Sequence, residues 1–282
     1  MLKRKNQSMN FIKSGTDSSG KKVELFYQDL GKGRPVVLIH GWPLSHAMWQ
    51  YQLLELPKHG LRAIAYDRRG FGHSSKPWDG YDYDTFADDL KALLDALDLE
   101  DAILVGFSMG GGEIARYMAK YGGARVAKIA FVASVTPFML KRADNPNGID
   151  QSLFSQITAG LEKDYADFMG NFGKMFYGTG SEVSQAAMQW TQILALRASL
   201  KAAIDCVHAF GETDFRDDLK EIHVPSLVIH GESDQIVPIK LGGEQTAALL
   251  PKAKFLRYNG APHGLFLPQK DRLNQDLLDF AR

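Results

Sequence analysis

Runs of consecutive apolar residues alternate along this chain with stretches whose apolar positions recur at helical spacing. Pro35-Val36-Val37-Leu38-Ile39 is apolar throughout, as expected for a strand buried on both faces of a parallel sheet. Leu61–Tyr66, Ala102–Val105, Lys128–Ala133, Ser226–His230 and Lys254–Tyr258 read as further strands. Phe11–Lys13 and Val23–Tyr27, separated by the turn-rich Asp17-Ser18-Ser19-Gly20, predict an antiparallel entry hairpin. Phe86, Leu90, Leu93, Leu94 and Leu97 fall on one helical face, with Asp88, Asp89, Lys91 and Asp95 between them. Met48–Leu56 and Ala115–Lys120 read as helices, and Leu273, Leu277, Leu278 and Phe280 form the inner face of a closing one. Strand–helix alternation with right-handed crossovers predicts an α/β fold: an eight-stranded, mostly parallel sheet covered by helices on both faces.

The rhythm breaks between about Val135 and Phe210. No strand is evident there, and Phe138, Phe154, Phe168, Phe172, Phe176, Tyr177 and Trp190 lie among polar residues. This reads as a helical cap, residues 135–210, with an aromatic inner face, inserted into a core of residues 9–134 and 211–282. Ordinary core packing of a helical subdomain accounts for some of these aromatics. Residues 1–8 read as a disordered extension, with Met9 as an alternative start.

Candidate chemistry enters at the junction of the Ala102 strand and the helix after it. Gly106-Phe107-Ser108-Met109-Gly110 is a G-x-S-x-G pentapeptide in the strand–turn–helix context that gives the motif its meaning. A tight turn there lifts the Ser108 hydroxyl clear of the sheet, and the helix N-terminus aims its N–H groups at the same point. A serine hydroxyl is a weak nucleophile and needs a base held by a third group. In an open parallel sheet such groups sit on loops after the carboxyl ends of strands. The loop after His230 offers Glu232 and Asp234, and the loop after Tyr258 offers His263. Asp234 is preferred as the acid because it lies farther past its strand, where the loop can turn it toward His263.

An oxyanion needs two backbone donors. Met109 supplies one N–H, and Trp42 of the His40-Gly41-Trp42-Pro43 loop supplies the other, because Pro43 has none. Pro43 should also fix the Trp42 peptide. If the Trp42 carbonyl then faces the site, it is a hydrogen-bond acceptor there; a plain turn residue is the alternative reading of Pro43. Pro43, Val135, Phe138, Ile236 and Ile239 are the candidate pocket residues. Of the eight histidines, His40 reads as a structural hydrogen-bonding residue and His230 as core. His46, His59, His73, His208 and His223 are scattered without metal-ligand spacing. No metal site is expected.

Composition narrows the partners. Over 282 residues, Lys plus Arg equals Asp plus Glu at 33 each, so no basic face for nucleic acid is implied. Cys206 is the single cysteine, which rules out an internal disulfide and fits a reducing, cytoplasmic compartment. Basic Lys3, Arg4 and Lys5 lead into Asn6-Gln7-Ser8, not the apolar stretch of a signal peptide, and no uncharged apolar run reaches membrane-spanning length.

The runs His40–Ser45 with Trp49, Tyr66–Ser74, Gly106–Gly112, Gly231–Pro238 and Ala261–Gly264 together resemble the α/β-hydrolase family of cofactor-free bacterial haloperoxidases and aryl esterases. The chain order Ser108, Asp234, His263 is that family's order of nucleophile, acid and base. The resemblance runs from about Phe11 to the C-terminus, cap included. It implies hydrolysis of small carboxylic esters, reversible peracid formation with hydrogen peroxide as co-substrate, no haem or metal cofactor, and a homo-oligomer. Two other readings stay open: a lactone or carbon–carbon bond hydrolase on the same triad, and a ligand receptor that retains the triad but turns over slowly. Dehalogenases and epoxide hydrolases of this fold fit less well, because they resemble the chain except for an aspartate at position 108.

Overall fold

Each expected strand is present, in a sheet whose pairing explains the apolar runs. A computed structural model describes residues 10–178 and 183–282; the extension 1–8 lies outside the described residues. The strands are β1 (Phe11–Thr16), β2 (Lys22–Gly31), β3 (Arg34–Ile39), β4 (Leu61–Tyr66), β5 (Ala102–Phe107), β6 (Val126–Val132), β7 (Ser226–Gly231) and β8 (Lys254–Tyr258). They form one eight-stranded sheet in the order β1-β2-β4-β3-β5-β6-β7-β8. The β1–β2 and β2–β4 pairs are antiparallel and the remaining pairs parallel. Every residue of β5 and of β7 is buried, which requires cover on both faces because side chains alternate across a sheet.

The helices outside the cap are α1 (Gln50–Glu55), α2 (Tyr83–Ala96) and α3 (Met109–Tyr121). The cap contributes α4 (Gln151–Lys163), α5 (Tyr165–Tyr177), α6 (Gln185–Ala195) and α7 (Leu200–Glu212). After it come α8 (Arg216–Lys220), α9 (Gly243–Leu249) and α10 (Lys270–Ala281). Helices α2 and α3 pack together, α3 also packs on α8, and α1 packs against α10. Each cap helix has a capped start: Asp150, Asp164, Ser184 and Ser199 accept the N–H of Ser152, Asp167, Ala187 and Ala202. Residues 133–150, leading into the cap, are irregular, and α7 runs past the expected boundary at 210 to Glu212. Among the described residues, no helix is long and apolar enough to cross a membrane.

The connections set the position of the site. From β3 the chain moves outward to β4, then returns to place β5 on the other side of β3. Loops leaving the carboxyl ends of β3 and β5 therefore run in opposite directions and open a crevice between them. Register aligns Gly106 of β5 with Ile39 of β3 and Phe131 of β6, so the Ser108 turn stands at that crevice, in the middle of the sheet.

Candidate active site

Ser108 sits between β5 and α3 with φ 52° and ψ −116°, a backbone conformation that costs a non-glycine residue about 1–3 kcal/mol. Main-chain bonds hold it there. Its N–H donates to Val132 O at 2.9 Å, and its carbonyl accepts from Gly111 N at 3.0 Å and Val135 N at 3.3 Å. The motif glycines are steric requirements: a Cβ on Gly106 would meet Gly110 O at 2.5 Å, and one on Gly110 would meet Ile39 O at 2.7 Å. Only glycine lets the first turn of α3 cross so close to β3 and β5.

His263, on the loop after β8, brings Nε2 to 3.0 Å from Ser108 Oγ. Its Nδ1 lies 2.7 Å from Asp234 Oδ2. Asp234 is pinned through its other oxygen, which accepts the N–H groups of Ile236 at 2.9 Å and Val237 at 2.8 Å. Burial would raise its pKa, but the His263 and His230 imidazoles beside it hold the carboxyl well below the usual carboxylate range. Asp234 is thus the carboxylate next to His263, whereas Glu232 is exposed. Phe107 and Phe176 pack against the His263 ring at centroid distances of 5.0 and 5.3 Å.

His230, expected as a core residue, is buried but also touches Asp234. Its Nε2 lies 2.8 Å from Val237 O and 3.2 Å from Asp234 Oδ2. Because Val237 O only accepts, Nε2 carries the proton and shares it between the two oxygens. A histidine at the end of an apolar strand has no local pattern that distinguishes this role.

The two expected oxyanion donors flank Ser108. Met109 is the first residue of α3, where N–H groups lack helical partners. The β3 loop comes within contact of Ser108: a Cβ on Gly41 would lie 3.0 Å from Ser108 Cβ. Among the described residues, neither the Trp42 nor the Met109 N–H has a hydrogen-bond acceptor. The Trp42 indole donates to Ala203 O of α7 at 2.9 Å and packs edge-on against Phe172 and Phe210. Trp42 thus joins the β3 loop to the cap. The Trp42–Pro43 peptide is cis.

A cavity of about 460 Å³ opens onto Ser108 and His263. Val135 and Ile236 line it as expected. Pro43, Phe138 and Ile239 do not, and each has a local reason. Pro43 borders a separate small recess with Phe176 and Thr191. Phe138 is buried beneath the guanidinium groups of Arg142 and Arg216, 6.0 and 5.2 Å from its ring centre. Ile239 lies on the turn before α9, where its carbonyl accepts Glu244 N. In their place the cap supplies Phe154, Phe168, Phe172 and Phe210, while Met139 and Ile149 come from the irregular segment before α4. Phe154, Phe168 and Phe172 are among the aromatics expected on the cap's inner face; Phe210 is not. Among the described residues, no Asp, Glu, Lys or Arg lines the cavity; Gln156 and Gln235 are the amide side chains there. Among the described residues, no group of three or more His, Cys, Asp or Glu side chains is placed to hold a metal ion.

The family profile described as alpha/beta hydrolase fold matches residues 34–269. This chain belongs to the α/β-hydrolase family. It is 43% identical to non-heme chloroperoxidase CPO-A1 of Kitasatospora aureofaciens, over 92% of this chain and 96% of that protein. It is 40% identical to the bifunctional esterase/perhydrolase DCH of Acinetobacter calcoaceticus, again over 92% and 96%. Among solved structures, a bromoperoxidase from Bacillus anthracis superposes with a TM-score of 0.93 at 42% identity, covering 97% of this chain and 99% of that one. The α/β-hydrolase fold and the branch containing haloperoxidases and esterase/perhydrolases are those the motifs resembled.

Proposed function

We propose that this α/β-hydrolase is a serine esterase acting on small, uncharged carboxylic esters, with perhydrolase activity when hydrogen peroxide is present. The observation that carries the reading is the Ser108–His263–Asp234 relay, with links of 3.0 and 2.7 Å, at a cavity to which the described residues contribute no charged side chain. His263 Nε2 takes the hydroxyl proton as Ser108 Oγ attacks the ester carbonyl. Asp234 holds the imidazole in the tautomer that exposes Nε2 and stabilises the imidazolium. The tetrahedral oxyanion accepts hydrogen bonds from the Trp42 and Met109 N–H groups. As the intermediate collapses, the C–O bond to the alcohol breaks, His263 returns the proton to the leaving oxygen, and an acyl-enzyme remains on Ser108. Water then releases the carboxylic acid, whereas hydrogen peroxide releases the peracid. Both regenerate Ser108–OH. Peracid leaving the site oxidises halide in solution, so haloperoxidase-type activity needs no metal. The 40–43% identities to a non-heme chloroperoxidase and an esterase/perhydrolase support the same pair of activities. A cytoplasmic homo-oligomer completes the reading.

The test is an ester chain-length profile, with and without hydrogen peroxide, scored for acid and for bromide-oxidising peracid. Steady turnover of short aryl esters is expected, with peracid appearing only when peroxide is added. A single stoichiometric burst without turnover would favour the ligand-receptor reading. Preference for lactones over open-chain esters would move the substrate class.

A further inference from the structure

Behind the two oxyanion donors lies a buried ionic network that the acyl-transfer steps do not use. Arg68, on the loop leaving β4, is fully buried. Its Nε donates to Glu113 Oε2 at 2.7 Å, and its Nη2 donates to the carbonyl of His40 at 3.0 Å. Its backbone N–H donates to His40 Nε2 at 3.0 Å. With Nε2 accepting, the His40 proton sits on Nδ1, which donates to Gly41 O at 2.9 Å. Glu113 belongs to α3, the helix that starts at Met109, and its other oxygen accepts from the Tyr66 hydroxyl. Phe86 and Phe71 flank the guanidinium. One side chain therefore ties the loop that carries Trp42 to the helix that carries Met109.

Stability alone is a poor account of this arrangement. A fully buried ion pair recovers little over apolar residues of the same volume, because both charges must be desolvated. Its place is informative. Glu113 puts a negative charge near the positive end of α3, where it opposes the field that favours an oxyanion. Arg68 neutralises that charge, and the same guanidinium holds the His40 carbonyl. We propose that Arg68 is a positioning residue for the oxyanion site, setting the Trp42 and Met109 N–H groups in fixed register through His40 and Glu113.

This inference rests on the ester-hydrolase reading, and its test separates the two. Arg68→Met leaves Glu113 as a lone buried charge and can fail to fold, so the decisive protein is the double variant Arg68→Met/Glu113→Gln, in which both charges are gone. Arg68→Lys, which keeps a cation beside Glu113 but lacks the fork that also reaches His40, is its companion. Thermal midpoint, kcat, KM and affinity for an alkyl boronic acid, which forms a tetrahedral adduct on the serine, are measured for each. The double variant should regain a near-wild-type midpoint while kcat falls about 10- to 100-fold, the scale of an ångström misplacement in a catalytic site. Boronate affinity should fall in parallel, with KM within about threefold, because the lost interaction exists only in the tetrahedral state. Arg68→Lys should lie between. A folded double variant with unchanged kcat and boronate affinity overturns the clamp and leaves the esterase standing. Loss of kcat only in step with loss of folded protein also overturns it. A wild type that hydrolyses no ester removes the esterase reading and the clamp with it.

Discussion

The strand-end loops and the cap hold their functional residues by different physics. On the loops, main-chain contacts fix Ser108 and Asp234. Ser108 is set by three backbone hydrogen bonds, Asp234 by two peptide N–H groups, and the Gly41, Gly106 and Gly110 positions have no room for a side chain. In the cap, side-chain packing sets the positions. Its aromatic rings meet edge to face or stacked on α4, α5 and α7, and Leu153 and Met175 at the cavity wall remain 46% and 50% exposed. Backbone networks tolerate almost no displacement, whereas side-chain walls can be recut one residue at a time. Chemistry and substrate choice should therefore separate by region.

The sharpest break is expected at the nucleophile. Ser108→Ala should lower ester kcat by about 10⁵- to 10⁶-fold with an unchanged thermal midpoint, because triad members act as a unit. Turnover near the wild-type rate in purified protein would remove Ser108 from that role. Next comes the acid. Asp234→Asn should cost about 10⁴-fold in kcat, since an amide favours the wrong imidazole tautomer. Glu232→Gln, on an exposed side chain of the same loop, should stay within about twofold of wild type, as surface changes usually do. The reverse order in the same assay would reassign the acid.

A cap variant tests the other half of the comparison. Phe168 stacks on Phe172 and covers Gly160, where a Cβ would meet the Phe168 ring at 2.6 Å. Phe168→Ala should shift relative kcat/KM toward longer acyl chains by about tenfold, the lower end of what a methylene-sized change in an apolar pocket achieves. Hydrolysis of the shortest ester should change by less than about threefold. If short and long esters suffer alike, the cap is part of the chemical machinery and the two regions do not separate.

The smallest effect concerns pH and the loop beneath Trp42. Burial, with help from the Arg68 charge, pushes the His40 pKa down to about 3. In the unfolded chain it returns to near 6.5, so between about pH 3 and 6.5 the unfolded state binds the extra proton. Stability should therefore rise with pH across that window and fall on acidification from its upper edge, with a slope from this group of at most about 1.4 kcal/mol per pH unit. The depressed Asp234 carboxyl adds a slope of the same sign only below the usual carboxylate range. Urea midpoints measured across this window should show a shallower slope for His40→Gln than for wild type. An identical slope would mean that His40 titrates normally in the folded protein.

Strand and helix identities could be read from the chain because burial imposes a period: β5 and β7 are apolar at consecutive positions, and α2 carries its buried residues on one face. Ser108, Asp234 and His263 were equally accessible, since a parallel sheet brings loops at its carboxyl edge together and the pentapeptide marks one of them. The pocket was legible only in part. Val135 and Ile236 follow strand ends that the sheet places, and they line the cavity. Phe138 has the same apolar character, yet it lies beneath Arg142 and Arg216, residues 4 and 78 positions farther along the chain.

By itself, then, the sequence determined what local stereochemistry and the sheet's hydrogen-bond ladder enforce: the order of strands and helices, the strained serine turn, and the loops that bring His263 and Asp234 to Ser108. Tertiary structure alone decided which cap aromatics face the nucleophile, that His230 leans on Asp234, and that Arg68 spans from His40 to Glu113. Those contacts join residues far apart in the chain through side chains whose direction depends on how whole helices settle. Helix packing angles leave no local signature that a linear pattern can carry.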